Sequence, residues 1–405
     1  MNKAGIFYIV VTYLLFLYGP WPYPVISSNL QIYFLLLVLL TFLLNSIIFN
    51  DLNYKIFSTS AIIKNFRYVF MLSICSLVLA MIEYLSVFTD ILSSIFSGNF
   101  GETYLKMALT DTTYFKTPIY MFASVLVSPF QYIMLGCLFF YDLFPKKVRV
   151  YIVIFSILYI LRFLIFGQLK GVIDVVGVFG LCLLRREGFR IYKLLFKPQV
   201  IFLSIVFGVI GFFIHTSRGY GLEYGTFGYP LFITTERPYF DNDSIFESFY
   251  IFYELVARYF GHGYYALSLA FTTDFKPDLI SFSLFLNDNF RELNMDTNES
   301  LIKLLGDEHG WDYQKLWHTQ FLWWISGFGF FGAIIIIFFQ QFFILSLLSR
   351  ASSKKINIIE IGILGALLIN FIYMPLNNQI FYNLQGVFSI FVLTLLMIIN
   401  RLSKN

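Results

Sequence analysis

Trp317-His318-Thr319-Gln320-Phe321-Leu322-Trp323-Trp324-Ile325-Ser326-Gly327-Phe328-Gly329-Phe330-Phe331-Gly332 closes the one long polar stretch of this chain and opens an apolar one. The polar stretch runs from Ser217 to Gln320 and holds 15 acidic and 7 basic residues. On either side of it the sequence is a series of hydrophobic runs separated by short basic turns. The polar stretch is therefore where a sizeable folded surface is expected outside a bilayer, and the remainder is expected to be the membrane frame that holds it.

Composition supports that division. Of the 405 residues, 58% are hydrophobic, 21% aromatic and only 13% charged, and the mean hydropathy is +0.74. Soluble domains carry about 25% charged residues, and no soluble core hides so much apolar surface, so the expected class is an all-α polytopic membrane protein. The net charge of +4 is gathered in clusters between apolar runs, where it reports topology and not nucleic-acid binding. Cys75, Cys137 and Cys182 each lie inside an apolar run, which suggests neither a disulfide framework nor a metal site. The first run ends at Gly19-Pro20-Trp21-Pro22-Tyr23-Pro24 without a small-residue cleavage pattern, so it is read as a span.

A helical span needs about 20 apolar residues. Ten candidates are found, at approximately 5–19, 31–49, 67–88, 118–143, 149–166, 170–184, 199–216, 321–348, 357–374 and 380–400. With ten spans every basic cluster falls on one side: Lys3; Lys55, Lys64 and Arg67; Lys146, Lys147 and Arg149; Arg185, Arg186, Arg190, Lys193 and Lys197; Arg350, Lys354 and Lys355; Arg401 and Lys404. Both termini are then cytoplasmic and the large loop lies outside. The chain reads as seven spans in 1–216, a loop in 217–320 and three spans in 321–405. Within the loop, Ser244–Phe271 carries Glu247, Glu254, Arg258 and His262 and is expected to break at Gly261-His262-Gly263, so it is read as a helix lying on or re-entering the outer leaflet. A connection of about 100 residues is usually functional or disordered, and the aromatic content here argues against disorder.

Ionisable groups in or beside spans cost about 2.5–3.5 kcal/mol each on insertion scales. The candidates are Glu83, Arg162, Lys170, Asp174, Arg218 and Glu360. Glu360 reads as snorkelling at its helix end, and Arg162 and Asp174 either pair between neighbouring spans or serve function. Arg218 ends the seventh span in Ser217-Arg218-Gly219, where a guanidinium can hold phosphate in bidentate fashion. Lys170 reaches the same face, either as a second cation or as an ordinary interfacial lysine. His318 stands where the loop returns to the membrane, and a neutral imidazole there can take a proton from a hydroxyl; the alternative is a hydrogen-bonded structural histidine. Trp311, Trp317, Trp323 and Trp324 form either an aromatic belt or a surface for sugar rings. Asp241/Asp243 and Asp307/Glu308 read as solvated charge, and no metal or cofactor is assigned. There is no P-loop, G-x-S-x-G, H-E-x-x-H or paired-cysteine motif.

The segment Trp317-His318-Thr319-Gln320-Phe321-Leu322 followed by Gly327-Phe328-Gly329-Phe330-Phe331-Gly332, together with Ser217-Arg218-Gly219, resembles the O-antigen polymerase (Wzy) family, within the polymerases and ligases of bacterial envelopes. The chain departs from that pattern in the loop before the sixth span, where it has Lys170 in Gly167-Gln168-Leu169-Lys170-Gly171 in place of the family's usual arginine. The resemblance implies transfer of a glycan from undecaprenyl pyrophosphate to an acceptor hydroxyl in the bacterial inner membrane, without a metal. It implies that Arg218, with Lys170 or Arg162, holds the pyrophosphate and that His318 orients or deprotonates the acceptor. Trp311, Trp317, Arg258 and Arg291 are candidate glycan contacts, the helix from about Ser244 is a candidate lid, and a chain-length regulator is a candidate partner. The rivals are the ligase, which differs in its acceptor, and a lipid-linked oligosaccharide flippase, which would favour internal symmetry and short loops.

Overall fold

The computed structural model describes residues 1–20, 23–24, 27–49, 66–82, 93, 118–165, 168–190, 197–198, 200–201, 205, 208–209, 245–293, 297–311, 318–353, 356–381 and 384–403. Its main helices, in chain order, are α1 (Asn2–Tyr18), α2 (Ser28–Ile48), α3 (Phe66–Ile82), α4 (Pro118–Val127), α5 (Pro129–Phe139), α6 (Lys146–Ile165), α7 (Lys170–Arg186) and α8 (Ile245–Ala270). They continue with α9 (Leu284–Glu292), α10 (Leu301–His309), α11 (Gln320–Ser352), α12 (Ile358–Ile372) and α13 (Leu384–Leu402). Among the described residues there is no strand.

Among the described residues five helical stretches are long and apolar enough to cross a membrane: Ser28–Ile48, Ile119–Phe139, Lys146–Ile165, Gln320–Ser352 and Gln385–Leu402. Asn2–Tyr18, Phe66–Ile82 and Ile358–Ile372 are apolar but shorter. The expected span at 199–216 lies almost wholly outside the described residues, as does Glu83.

The distribution of side chains on α2 explains the environment. Its exposed positions include Leu36, Leu40, Leu43, Leu44 and Ile47, whereas its buried face carries Gln31, Thr41 and Asn45. Apolar outside and polar inside reverses the pattern of a helix in water, and suits a helix whose solvent is hydrocarbon. Asn45 donates to the carbonyl of Phe338 at 3.2 Å and Gln341 donates to Thr41 at 3.2 Å, so the inward polar groups tie α2 to α11. The fold is that of a helical membrane protein.

By contact the chain divides into two compact units that cut across the three sequence blocks: Met1–Asp51, Glu223–Leu345 and Tyr373–Asn383 form the first, and Leu52–Leu222, Ser346–Ile372 and Leu384–Asn405 form the second. In the second unit α5 and α12 cross in backbone contact. A Cβ at Gly136 would stand 2.1 Å from the Ile361 carbonyl oxygen, and one at Gly365 would stand 2.1 Å from that of Tyr132, so only glycine permits the crossing.

Two expectations about helix continuity are corrected in the first unit. Gly261-His262-Gly263 does not break α8, which runs through it, and residues 261–270 are buried throughout. A helix lying on a surface keeps one face outward, so the last ten residues of α8 belong to the core instead. The span expected to run unbroken over 321–348 does break, at Gly329, with φ 70° and ψ 173°. That region of backbone space is essentially restricted to glycine.

Candidate functional site

His318 sits at the meeting of three segments of the first unit: the C-terminal part of α8, the start of α11 and the turn after Tyr373. Gly263 makes the approach possible, because a Cβ there would lie 2.6 Å from the Thr319 backbone nitrogen and 2.9 Å from the Pro375 carbonyl oxygen. The Gln320 backbone N–H donates to the Met374 carbonyl at 3.0 Å, and the Trp323 indole donates to Asn377 at 3.1 Å, fixing the turn against α11. From His318 to Gly327 ten successive residues are buried. The close packing at Gly263 leaves its neighbour His262, 6% exposed, in the same interior as His318, 2% exposed.

His262 was not among the sequence candidates for chemistry, and the structure places it in the same interior as His318, close enough for the two to interact electrostatically. Burial holds its pKa well below the usual histidine value, and the charges of Arg258 and then His318 push in the same direction. His262 is therefore a neutral imidazole near pH 7. Its ring packs edge-on against Trp311, with centroids 5.7 Å apart, and against Tyr23 at 6.1 Å; Trp311 in turn meets Tyr265 at 5.1 Å. Glu254, Arg258 and His262 recur every fourth residue, which places them on one face of α8. That spacing is the signal in the sequence that could have found the cluster.

The aromatic candidates divide. Trp323 and Trp324 are buried, the first bonded to Asn377 and the second packed between Phe282 and Phe381 at 5.7 and 5.1 Å. They are core residues, neither a belt nor an open sugar-binding surface. Trp311 is 1% exposed and faces His262 and Tyr265. Arg258 is half-buried beside His262, while Arg291 is exposed and pairs with Glu299 at 2.8 Å. Trp317 and Arg218 lie outside the described residues.

Lys170 and Arg162 belong to the second unit. Lys170 pairs with Asp174 at 2.8 Å, one helical turn further along α7, and the Tyr159 hydroxyl donates to the same carboxylate oxygen at 2.7 Å. Asp174 thus has a charged partner, Lys170, within its own helix α7, and the Arg162 guanidinium lies 4.7 Å over the Phe163 ring. Glu360 does not snorkel. It is fully buried, pairs with Arg350 at 2.8 Å and Arg401 at 3.3 Å, and exchanges capping bonds with Asn357 at 3.1 and 2.9 Å. Among the described residues no group of three His, Cys, Asp or Glu side chains gathers in a way that would hold a metal ion. The chain matches no family model, no curated protein and no solved structure.

Proposed function

We propose that this protein is an oligosaccharide repeat-unit polymerase of the O-antigen polymerase type, crossing the bacterial inner membrane ten times with both termini cytoplasmic and the 217–320 loop periplasmic. The acceptor hydroxyl oxygen attacks the anomeric carbon of a glycan held on undecaprenyl pyrophosphate. A glycosidic bond forms, the bond from that carbon to the pyrophosphate oxygen breaks, and the lipid pyrophosphate leaves with the electron pair. His318 takes the hydroxyl proton. Arg218, with Lys170 or Arg162, carries the charge that develops on the leaving group.

The observation that supports this reading is the setting of His318: the residue singled out by the motif lies in a built interior, beside a second imidazole held neutral and an arginine. A histidine that merely filled space would need no such company. The test is the lipopolysaccharide ladder of a strain lacking the gene, complemented with wild type or with His318→Ala. Deletion is expected to collapse the ladder to core plus a single repeat, and His318→Ala is expected to leave it collapsed while the protein still inserts. Bare core would point to ligation or export, and an intact ladder with His318→Ala would remove the histidine from the reaction.

A further inference from the structure

Buried polar side chains are nearly always hydrogen-bonded, and exceptions need a reason. In the first unit other buried amides make at least one such bond: Gln31 donates to the Tyr264 carbonyl at 2.7 Å, Asn45 to the Thr41 carbonyl at 3.0 Å, and Asn287 to that of Asn298 at 3.0 Å, although the side-chain oxygen of each has no partner among the described residues. Gln320 does not. It is fully buried, and neither its side-chain amide oxygen nor its side-chain amide nitrogen has a partner among the described residues. Gln340 shares this condition, but it lies far along α11, whereas Gln320 is two residues from His318.

Other unpartnered groups lie on the segments that meet at His318. The Thr319 hydroxyl, the Asn378 side-chain nitrogen and the Trp311 indole nitrogen are all buried without a hydrogen bond to any of the described residues. The segments that carry them are bound to one another: Gln320 to Met374 at 3.0 Å, Thr319 and Pro375 both against Gly263, and Trp311 edge-on to His262. An amide and a hydroxyl each give and accept hydrogen bonds, and the other two groups give them. That mixture suits a ligand whose own groups both give and accept, as sugar hydroxyls do, and no formal charge is required to meet it.

We propose that Thr319 and Gln320, with Asn378 and Trp311, form the subsite for the acceptor sugar, holding its ring hydroxyls while one of them faces His318. The assignment rests on the polymerase reading and names the part of that site that selects the acceptor. It also accounts for the amide: a leucine of similar size would fold there at no loss, because no hydrogen bond among the described residues depends on Gln320's side chain.

The experiment compares Gln320→Leu and Thr319→Val with wild type and His318→Ala, by glycan ladder in the deletion strain and by thermal unfolding of the full-length protein in detergent. Gln320→Leu is expected to unfold at the wild-type temperature or above it, while long-chain glycan falls about tenfold or more. Thr319→Val is expected to act in the same direction by a smaller factor. A wild-type ladder in both variants overturns the subsite. So does a lower unfolding temperature or poor accumulation of Gln320→Leu, since the amide would then be supporting the fold. If His318→Ala removes the ladder and Gln320→Leu does not, only the subsite falls; if both leave it intact, the polymerase reading falls as well.

Discussion

The buried charges of the second unit and the buried polar groups around His318 in the first are handled differently. In the second unit charge meets charge: Glu360 lies between Arg350 and Arg401, Asp174 takes Lys170 and Tyr159, and Arg185 takes Asp142. Around His318 in the first unit, a second buried imidazole, His262, feels the charge of Arg258, and Thr319 and Gln320 have side chains that bond to nothing among the described residues. An apolar surround penalises both arrangements, but only the first recovers the penalty within the fold. A paired buried charge therefore reads as architecture, and an unpaired buried amide beside a histidine reads as a place kept for something else.

Glu360→Ala should break that comparison most strongly. Its carboxylate is fully buried, and removing it leaves two arginines and the Asn357 cap without their acceptor, a loss of about 3 kcal/mol. A lower unfolding temperature and reduced protein level are expected, with the length distribution of any glycan made left unchanged. Arg401→Ala should cost under about 1 kcal/mol, because that side chain is 52% exposed.

Gly263→Ala is the next step down. The new methyl would meet the Thr319 nitrogen at 2.6 Å, and overpacking of this kind costs about 1–3 kcal/mol. It also displaces the contact that brings His262 to His318, so glycan synthesis should fall further than stability alone explains. Gly261→Ala, two residues away, meets nothing closer than 3.5 Å and should match or exceed wild type in stability, since alanine favours helix by about 1 kcal/mol. Equal behaviour of the two variants in unfolding assays would contradict the packing described.

The smallest effect is one of pH. His262's folded pKa lies below the unfolded value of about 6.5. Between those two values the unfolded chain binds more protons, so stability is complete above about pH 6.5 and declines as pH falls toward the folded pKa, by at most about 1.4 kcal/mol per pH unit. Unfolding temperatures at pH 7.5 and 5.5 should differ less in His262→Gln than in wild type. An unchanged difference would mean that His262 is not the group that resists protonation.

Much of the helical layout was legible because a run of apolar residues signals its own burial in lipid wherever the chain goes. The apolar runs at 31–49 and 149–166 contain or closely match α2 and α6, and the run at 380–400 overlaps α13. Local spacing also held information that went unread: Lys170 and Asp174 are four residues apart on one helix, and so are Glu254, Arg258 and His262. What sequence could not decide were the places where distant backbones touch. Gly329 and Gly263 are both glycines in apolar surroundings, yet one breaks a helix and the other lies within an unbroken one, because Thr319 and Pro375 occupy the space a side chain at 263 would need. The sequence by itself determined that this is a helical membrane protein and marked His318, since hydropathy and motif are properties of neighbouring residues. Only the tertiary structure decided that His262 shares the interior of His318 and that Gln320's side-chain amide finds no partner among the described residues, since both depend on packing between segments more than 50 residues apart in the chain.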